Sequence, residues 1–240
     1  MIRLLAASAR RRATRTRVVR DFRTNEFPAI DEKERDAVVG SLIKDAHTLR
    51  SLANEAGQDN NLWVESVYQV GDNLVSATKV LITGIGKSGY VARRMAASMS
   101  SVGIASQYVH GTEWFHGDLG SLGENDAVVA FSHSGNTKEL CDLFGYLRSD
   151  SFAPSRVPFL AAIVGTQKCT LSNIADVALV APAEGELLGA VPSRSIVSQE
   201  AAVNAILSAV VQRTGFDSSG FGRNHPGGSI GESLRREEGH

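Results

Sequence analysis

Long apolar runs are missing from this chain of 240 residues. No segment approaches the roughly 18 uninterrupted apolar residues of a membrane-spanning helix, so no membrane partner is expected. Cysteine is scarce as well. Cys141 and Cys169 are the only two, and neither belongs to a Cys-x-x-Cys pair or a Cys/His metal spacing, so no disulfide framework is implied. Cys141 falls in an amphipathic pattern with Leu140, Phe144 and Leu147, the setting of a small buried hydrophobe and not of a reactive thiol. Neither sign of charge is in excess. A formal net charge of −1 gives no general polyanion-binding character, and no nucleic-acid partner is expected. With 42% hydrophobic and 21% charged residues, the chain can bury a sizeable core as one large domain.

The charge is nevertheless uneven. Met1 to Arg20 carries seven arginines, with Ser8, Thr14 and Thr16 and no acid, a composition that resembles a mitochondrial transit peptide. Setting those seven aside leaves 18 basic against 26 acidic residues, a formal −8 for the rest. Residues 1–25 are expected to be a basic arm or transit peptide and 26–240 a single domain. The location is mitochondrial if the arm is a targeting signal and cytoplasmic otherwise. A disordered basic arm, or an upstream stretch translated from a wrongly chosen start, are the alternatives.

After the arm, Asp31 with Glu34 three residues later forms a capping-box pattern, followed by apolar Val38, Val39, Leu42, Ile43, Ala46, Leu49 and Leu52 before Gly57. That pattern predicts a long amphipathic helix. A second helix is expected over about Leu62 to Ala77. The grammar then changes to short β-branched runs separated by glycine turns. Lys79 to Thr83, Ser106 to Val109, Ala127 to Ser132, Pro158 to Val164 and Val177 to Val180 read as five buried strands. Helices are expected over Ser88 to Val102, Asn136 to Ser149, Thr170 to Ala175 and Ile196 to Arg213. Strands this apolar, alternating with helices, predict an α/β fold: a doubly wound, flavodoxin-like or Rossmann-like five-stranded parallel sheet with the N-terminal helices packed outside it. Ligands in such sheets sit beyond the carboxyl ends of the strands.

Two turns are expected in that crevice. The first, Thr83-Gly84-Ile85-Gly86-Lys87-Ser88-Gly89, contains a G-x-G-x-x-G string and a Gly-Lys-Ser string. A Walker A loop needs glycine where Leu81 stands, and no acid follows near Tyr108 until Glu113, so neither a nucleoside triphosphate nor a dinucleotide is favoured. What survives is a glycine turn that lets backbone approach an anion at a helix start, with Lys87 adding a positive charge. The plain alternative is a tight turn with a solvated lysine. The second turn, Ser132-His133-Ser134-Gly135-Asn136-Thr137, sets three hydroxyls beside helix N-terminal amides. Neutral donors at a positive helix end suit a phosphate ester on an otherwise neutral molecule; simple N-capping accounts for one such hydroxyl but not for three.

Together these turns resemble the sugar isomerase (SIS) domain family, marked by a strand followed by a Ser-x-Ser-Gly-x-Thr turn. The resemblance is nearest to the arabinose 5-phosphate isomerases of that family. His116-Gly117-Asp118-Leu119-Gly120 and His225-Pro226-Gly227-Gly228-Ser229-Ile230-Gly231 extend it from about Lys79 to Gly231. Many bacterial relatives continue into a pair of cystathionine-β-synthase-type modules; this sequence stops nine residues after Gly231, so that pair is expected to be absent. The resemblance implies that Gly86, Ser88, Ser132, Ser134, Asn136 and Thr137 hold the phosphate. It also implies that Lys87, an acid before the last long helix and His225 face the sugar carbons. That acid is Glu184, with Glu186 two residues away as the alternative. The family often has glutamate directly after the Ser-Gly of the second turn, where this sequence has Asn136, and an amide does not accept a proton as a carboxylate does.

The implied reaction is aldose–ketose isomerisation of a phosphorylated sugar through an enediolate. Glu184 would be the base, Lys87 the electrostatic stabiliser and His225 a proton shuttle. Such chemistry needs no nicotinamide, flavin or metal, and no cofactor is expected. His110, Glu113 and His116 lie too irregularly for a His-Glu-x-x-His zinc helix. They are assigned to lining the sugar pocket, with zinc as the alternative, and Trp114 and Phe115 to packing. Because the His-Pro-Gly-Gly tail in this family completes a neighbouring subunit's site, a homodimer or homotetramer is implied. The rival reading is a non-catalytic sugar-phosphate sensor, supported by Asn136. A weaker third, an amidotransferase-type isomerase domain, lacks a glutaminase half and an N-terminal cysteine.

Overall fold

The computed structural model describes residues 30–58, 62–152, 158–229 and 231–233. The basic arm, the targeting expectation and the expected boundary after residue 25 lie outside the described residues. Contacts divide the chain into two units, Met1–Gly40 and Ser41–His240. In the first, the described residues form the opening turns of α1 (Glu32–Ala56), and the capping box closes in both directions. Glu34 N donates to Asp31 Oδ1 at 2.7 Å and Asp31 N to Glu34 Oε2 at 3.0 Å, satisfying two amides a helix start otherwise leaves free.

The second unit carries the rest of α1, then α2 (Leu62–Ser76), β1 (Val80–Gly84), α3 (Gly86–Ser101), β2 (Ser106–His110), β3 (Ala127–Ser132), α4 (Lys138–Leu147), β4 (Phe159–Val164), α5 (Thr170–Ile174), β5 (Val177–Val180), α6 (Arg194–Thr214) and α7 (Ser218–Asn224). All five strands are parallel, in the order β2-β1-β3-β4-β5. This is the flavodoxin-like order, and it confirms the doubly wound α/β sheet. Each strand lies within one residue of its expected span.

The strands are apolar throughout because both faces are covered, and their period of two shows only in which core each residue joins. Val80, Ile82, Val129, Phe131, Ala161 and Ile163 point toward α2, α3 and α6. Leu81, Val128, Ala130, Leu160, Ala162 and Val164 point toward α4, α5 and the buried Trp114. Crossovers from β1 and from β3 run to opposite sides, so the switch point lies between these two neighbours. Gly84 stands in register with Phe131, and the two glycine turns therefore leave adjacent strands at the same edge. Among the described residues no helix is long and apolar enough to cross a membrane.

Candidate functional site

Gly86 opens α3 with φ of +61°, a conformation that glycine adopts without strain. No side chain caps that helix start, which leaves its first amides for a ligand. The approach of α3 to β1 is close: a Cβ on Gly89 would lie 2.8 Å from Gly84 O. Tyr108 OH donates to Gly84 O at 2.9 Å; burial raises its phenol, and the nearby Arg93 acts in the opposite direction. Lys87 is exposed. It lines an open cavity of about 330 Å³ with Gly86, Tyr90, Arg93, Tyr108 and His110, and Arg93 stacks on the Tyr108 ring at 4.2 Å.

The second turn is wired internally. Ser132 Oγ accepts from Gly135 N at 3.1 Å and lies 2.8 Å from Thr137 Oγ1. Ser134 Oγ, on an exposed residue, accepts from Asn136 N at 3.2 Å. The side chain of Asn136 is committed to the next loop: its Oδ1 accepts from Thr170 N at 2.9 Å and Thr170 Oγ1 at 2.8 Å, while its Nδ2 donates to Ser134 O at 3.0 Å. Asn136 thus pins the turn to the start of α5. His133 O accepts from Gly165 N at 2.8 Å, and its ring lies on that glycine, where a Cβ would stand 2.4 Å from Nδ1.

The two glutamates after β5 have different surroundings. Glu186 caps α6: Oε2 accepts from Ser193 N at 2.6 Å, Ser193 Oγ at 2.5 Å and Arg194 N at 2.9 Å, and Oε1 from Ser195 N at 3.0 Å. Burial alone would raise its carboxyl, but the hydrogen bonds from Ser193 and Ser195 outweigh it and hold the group at about 2 instead of 4.5. Glu184 is exposed and lines a groove of about 400 Å³ between the loop after β5 and α1. We expect Glu186→Gln to cost about 1–2 kcal/mol, the size of a lost N-cap, as read by urea denaturation at pH 7. A depressed carboxyl contributes its stability above the unfolded value and loses it as pH falls through the folded one. The difference between Glu186→Gln and wild type should therefore shrink as pH falls from about 4.5 to about 2.

Other residues anticipated from sequence are spread more widely. His110 Nδ1 lies 2.8 Å from Thr112 Oγ1, which donates to Glu113 Oε1 at 3.1 Å, so His110 and Glu113 are linked beside the Lys87 cavity. His116 ends a short 3-10 turn and is exposed. Among the described residues no three metal-ligating side chains gather. Trp114 is fully buried, its indole donating to Thr83 Oγ1 at 3.1 Å, whereas Phe115 is half exposed and meets Tyr146 edge-on. His225 sits at the far end of α3 from Lys87, with Nε2 3.3 Å from Ser101 Oγ, Nδ1 2.9 Å from Phe221 O and its ring stacked on Phe221 at 3.9 Å. At 1.5 Å per residue, the Lys87–Ser101 span of that helix is about 20 Å, so one chain does not bring His225 to Lys87. The sequence reading missed Gly165, Cys169 and Thr170 as the shell behind the second turn; a glycine directly after β4 was the available signal.

A family model for the SIS domain matches residues 73–209. The chain is 36% identical over 158 residues to arabinose 5-phosphate isomerase KdsD of Salmonella typhi, covering 65% of this chain and 46% of that one. It is also 36% identical over 190 residues to the protein RP505 of Rickettsia prowazekii, covering 78% and 56%. The chain thus spans about half the length of the curated relatives it matches. Among solved structures, the E. coli CFT073 protein c3406, in complex with a phosphosugar ligand, superposes with a TM-score of 0.69 at 26% identity, covering 82% of this chain and all of that one.

Proposed function

Because this chain belongs to the SIS domain family, we propose that it interconverts the aldose and ketose forms of a phosphorylated sugar, as the relatives named arabinose 5-phosphate isomerase are named for doing. The observation that supports this most directly is the second turn. Ser132, Ser134 and Thr137 stand together at the start of α4 and beside the first turn, at the switch point of the sheet. Hydroxyls and helix-start amides hold a dianionic ester there, with Gly86 and Ser88 contributing from α3. The phosphate then aims the sugar at groups that move protons.

Glu184, free of the capping duty that occupies Glu186, takes the proton from the carbon beside the carbonyl and returns it to the former carbonyl carbon. Lys87 supplies positive charge to the enediolate from the α3 side. His225 acts across a subunit boundary, completing the site of a second copy in a homodimer or homotetramer; its distance from Lys87 within one chain fits that arrangement. His110, Glu113 and His116 lie toward the sugar hydroxyls.

Incubation with pentose, hexose and heptose phosphates in heavy water, followed by NMR, tests the reading: deuterium should enter beside the carbonyl of one sugar. A second reading is a sugar-phosphate sensor, favoured by Asn136, whose amide replaces a frequent family carboxylate and is engaged with Thr170. Tight binding without exchange of any sugar would favour it. Ser134→Ala should weaken sugar-phosphate binding roughly tenfold, the loss of one hydrogen bond to a charged group; unchanged affinity by calorimetry would remove Ser134 from the phosphate grip.

A further inference from the structure

Between Ser41 and Leu52, α1 is turned the unusual way round. Lys44, His47, Thr48 and Ser51 follow the i, i+3, i+4, i+7 spacing of one helix face, and that polar face lines the groove of about 400 Å³ opposite Pro182–Gly185. Leu42, Ile43 and Leu49 are left 64%, 51% and 44% exposed. A helix packed for stability alone does the reverse.

The polar face is held in place. Arg194, 1% exposed, donates from Nη2 to Ser41 O at 2.9 Å and Ser41 Oγ at 2.6 Å, and its Nε lies 3.0 Å from Asp45 Oδ1. Arg194 is also the first residue of α6, whose amide Glu186 accepts. One buried guanidinium therefore fixes α1 against the same loop that carries Glu184. Among the described residues, no hydrogen bond or ion pair engages the side chains of Lys44, His47 or Glu184. Lys87 and His110 line the other cavity and not this groove.

Removing a proton beside a carbonyl requires a donor at the carbonyl oxygen as well as a base, since the charge develops on that oxygen. We propose that Lys44 and His47 are this donor pair, facing Glu184 across the groove, an inference that rests on the isomerase reading. The proton leaves the carbon for the Glu184 carboxylate, the C–H pair becomes the enediolate double bond, and the carbonyl π pair moves onto oxygen against the Lys44 ammonium. His47 delivers a proton to that oxygen and takes one from the neighbouring hydroxyl. Glu184 then returns its proton to the former carbonyl carbon, so no atom or electron is gained or lost. Thr48 and Ser51 extend the wall with hydroxyls suited to the polyol.

The test uses the full chain and the sugar phosphate that wild type exchanges in heavy water. Lys44→Met and His47→Gln should each slow exchange about 100-fold, as expected for loss of one oxyanion donor, with the melting temperature unchanged and sugar-phosphate affinity within about threefold. In a parallel NMR titration, the imidazole Cε1–H signal that His47→Gln removes should shift as the sugar phosphate is added. If both variants exchange within threefold of wild type while Glu184→Gln does not exchange, or if the His47 signal stays still at saturating ligand, the donor assignment is overturned and the isomerase reading stands. If wild type exchanges no sugar of the panel, the isomerase reading falls and takes this inference with it.

Discussion

Glu184→Gln is expected to slow deuterium entry beside the sugar carbonyl by about 10²–10⁴-fold, the range for removing a general base, while the melting temperature stays where it was. The side chain is exposed and makes no hydrogen bond or ion pair among the described residues, so its amide isostere leaves folding within about 0.5 kcal/mol. Glu186→Gln should behave oppositely, losing stability because a four-bonded cap of α6 is weakened. Its exchange rate should fall much less than that of Glu184→Gln. The pair separates chemistry from architecture two residues apart. Sugar-phosphate binding by Glu184→Gln, followed by thermal shift, should persist, because the phosphate grip lies at the other turn. If Glu184→Gln exchanges deuterium at the wild-type rate, another group is the base.

That separation was out of reach of sequence alone. Ala183-Glu184-Gly185-Glu186 offers two carboxylates in a glycine-containing loop, and only the fold shows that the amides of Ser193, Arg194 and Ser195 turn back onto the second. The strands were legible because a parallel sheet covered on both faces leaves unbroken apolar runs such as Ala127–Ser132. Their order was narrowed but not fixed, since runs apolar on both faces carry no mark of their neighbours. The helix Ser218–Asn224 was missed because Ser-Ser-Gly-Phe-Gly has poor intrinsic propensity. It is held instead by Asp217, whose side chain accepts from Gly220 N at 2.8 Å, and by Phe216 packing so closely that a Cβ on Gly220 would stand 2.8 Å from its ring. Asn136 was legible as a turn residue, but the direction of its amide depends on Thr170, a partner 34 positions along the chain. The polar face of α1 was hidden by its apolar residues, which suggested a helix packed on the core.

Gly135→Ala is expected to cost about 2–4 kcal/mol and to reduce sugar-phosphate binding more than tenfold. Gly135 has φ of +64°, which costs an L-residue about 1–2 kcal/mol. The larger difficulty is space. A Cβ would lie 2.1 Å from Cys169 Sγ and 2.6 Å from Cys169 Cβ, and Cys169 is buried at the start of α5. The turn and α5 must separate to make room, yet Leu171 N donates to Gly135 O at 3.0 Å and Thr170 is bonded to Asn136, so the movement breaks the contacts that set the hydroxyls. Overpacking of this kind costs about 1–3 kcal/mol. Gly86→Ala is the matched comparison: φ is +61°, but nothing lies within 4 Å of the added Cβ, so only the backbone cost of about 1–2 kcal/mol applies. If collision is the dominant cause, adding Cys169→Gly to Gly135→Ala should recover part of the lost affinity, since both clashing atoms are removed. The same change should leave Gly86→Ala no better, because Cys169 is not among the atoms near that turn. Calorimetry of wild type, both single variants and the double variant would decide it, and wild-type affinity in Gly135→Ala would show that the shape of this turn does not hold the phosphate.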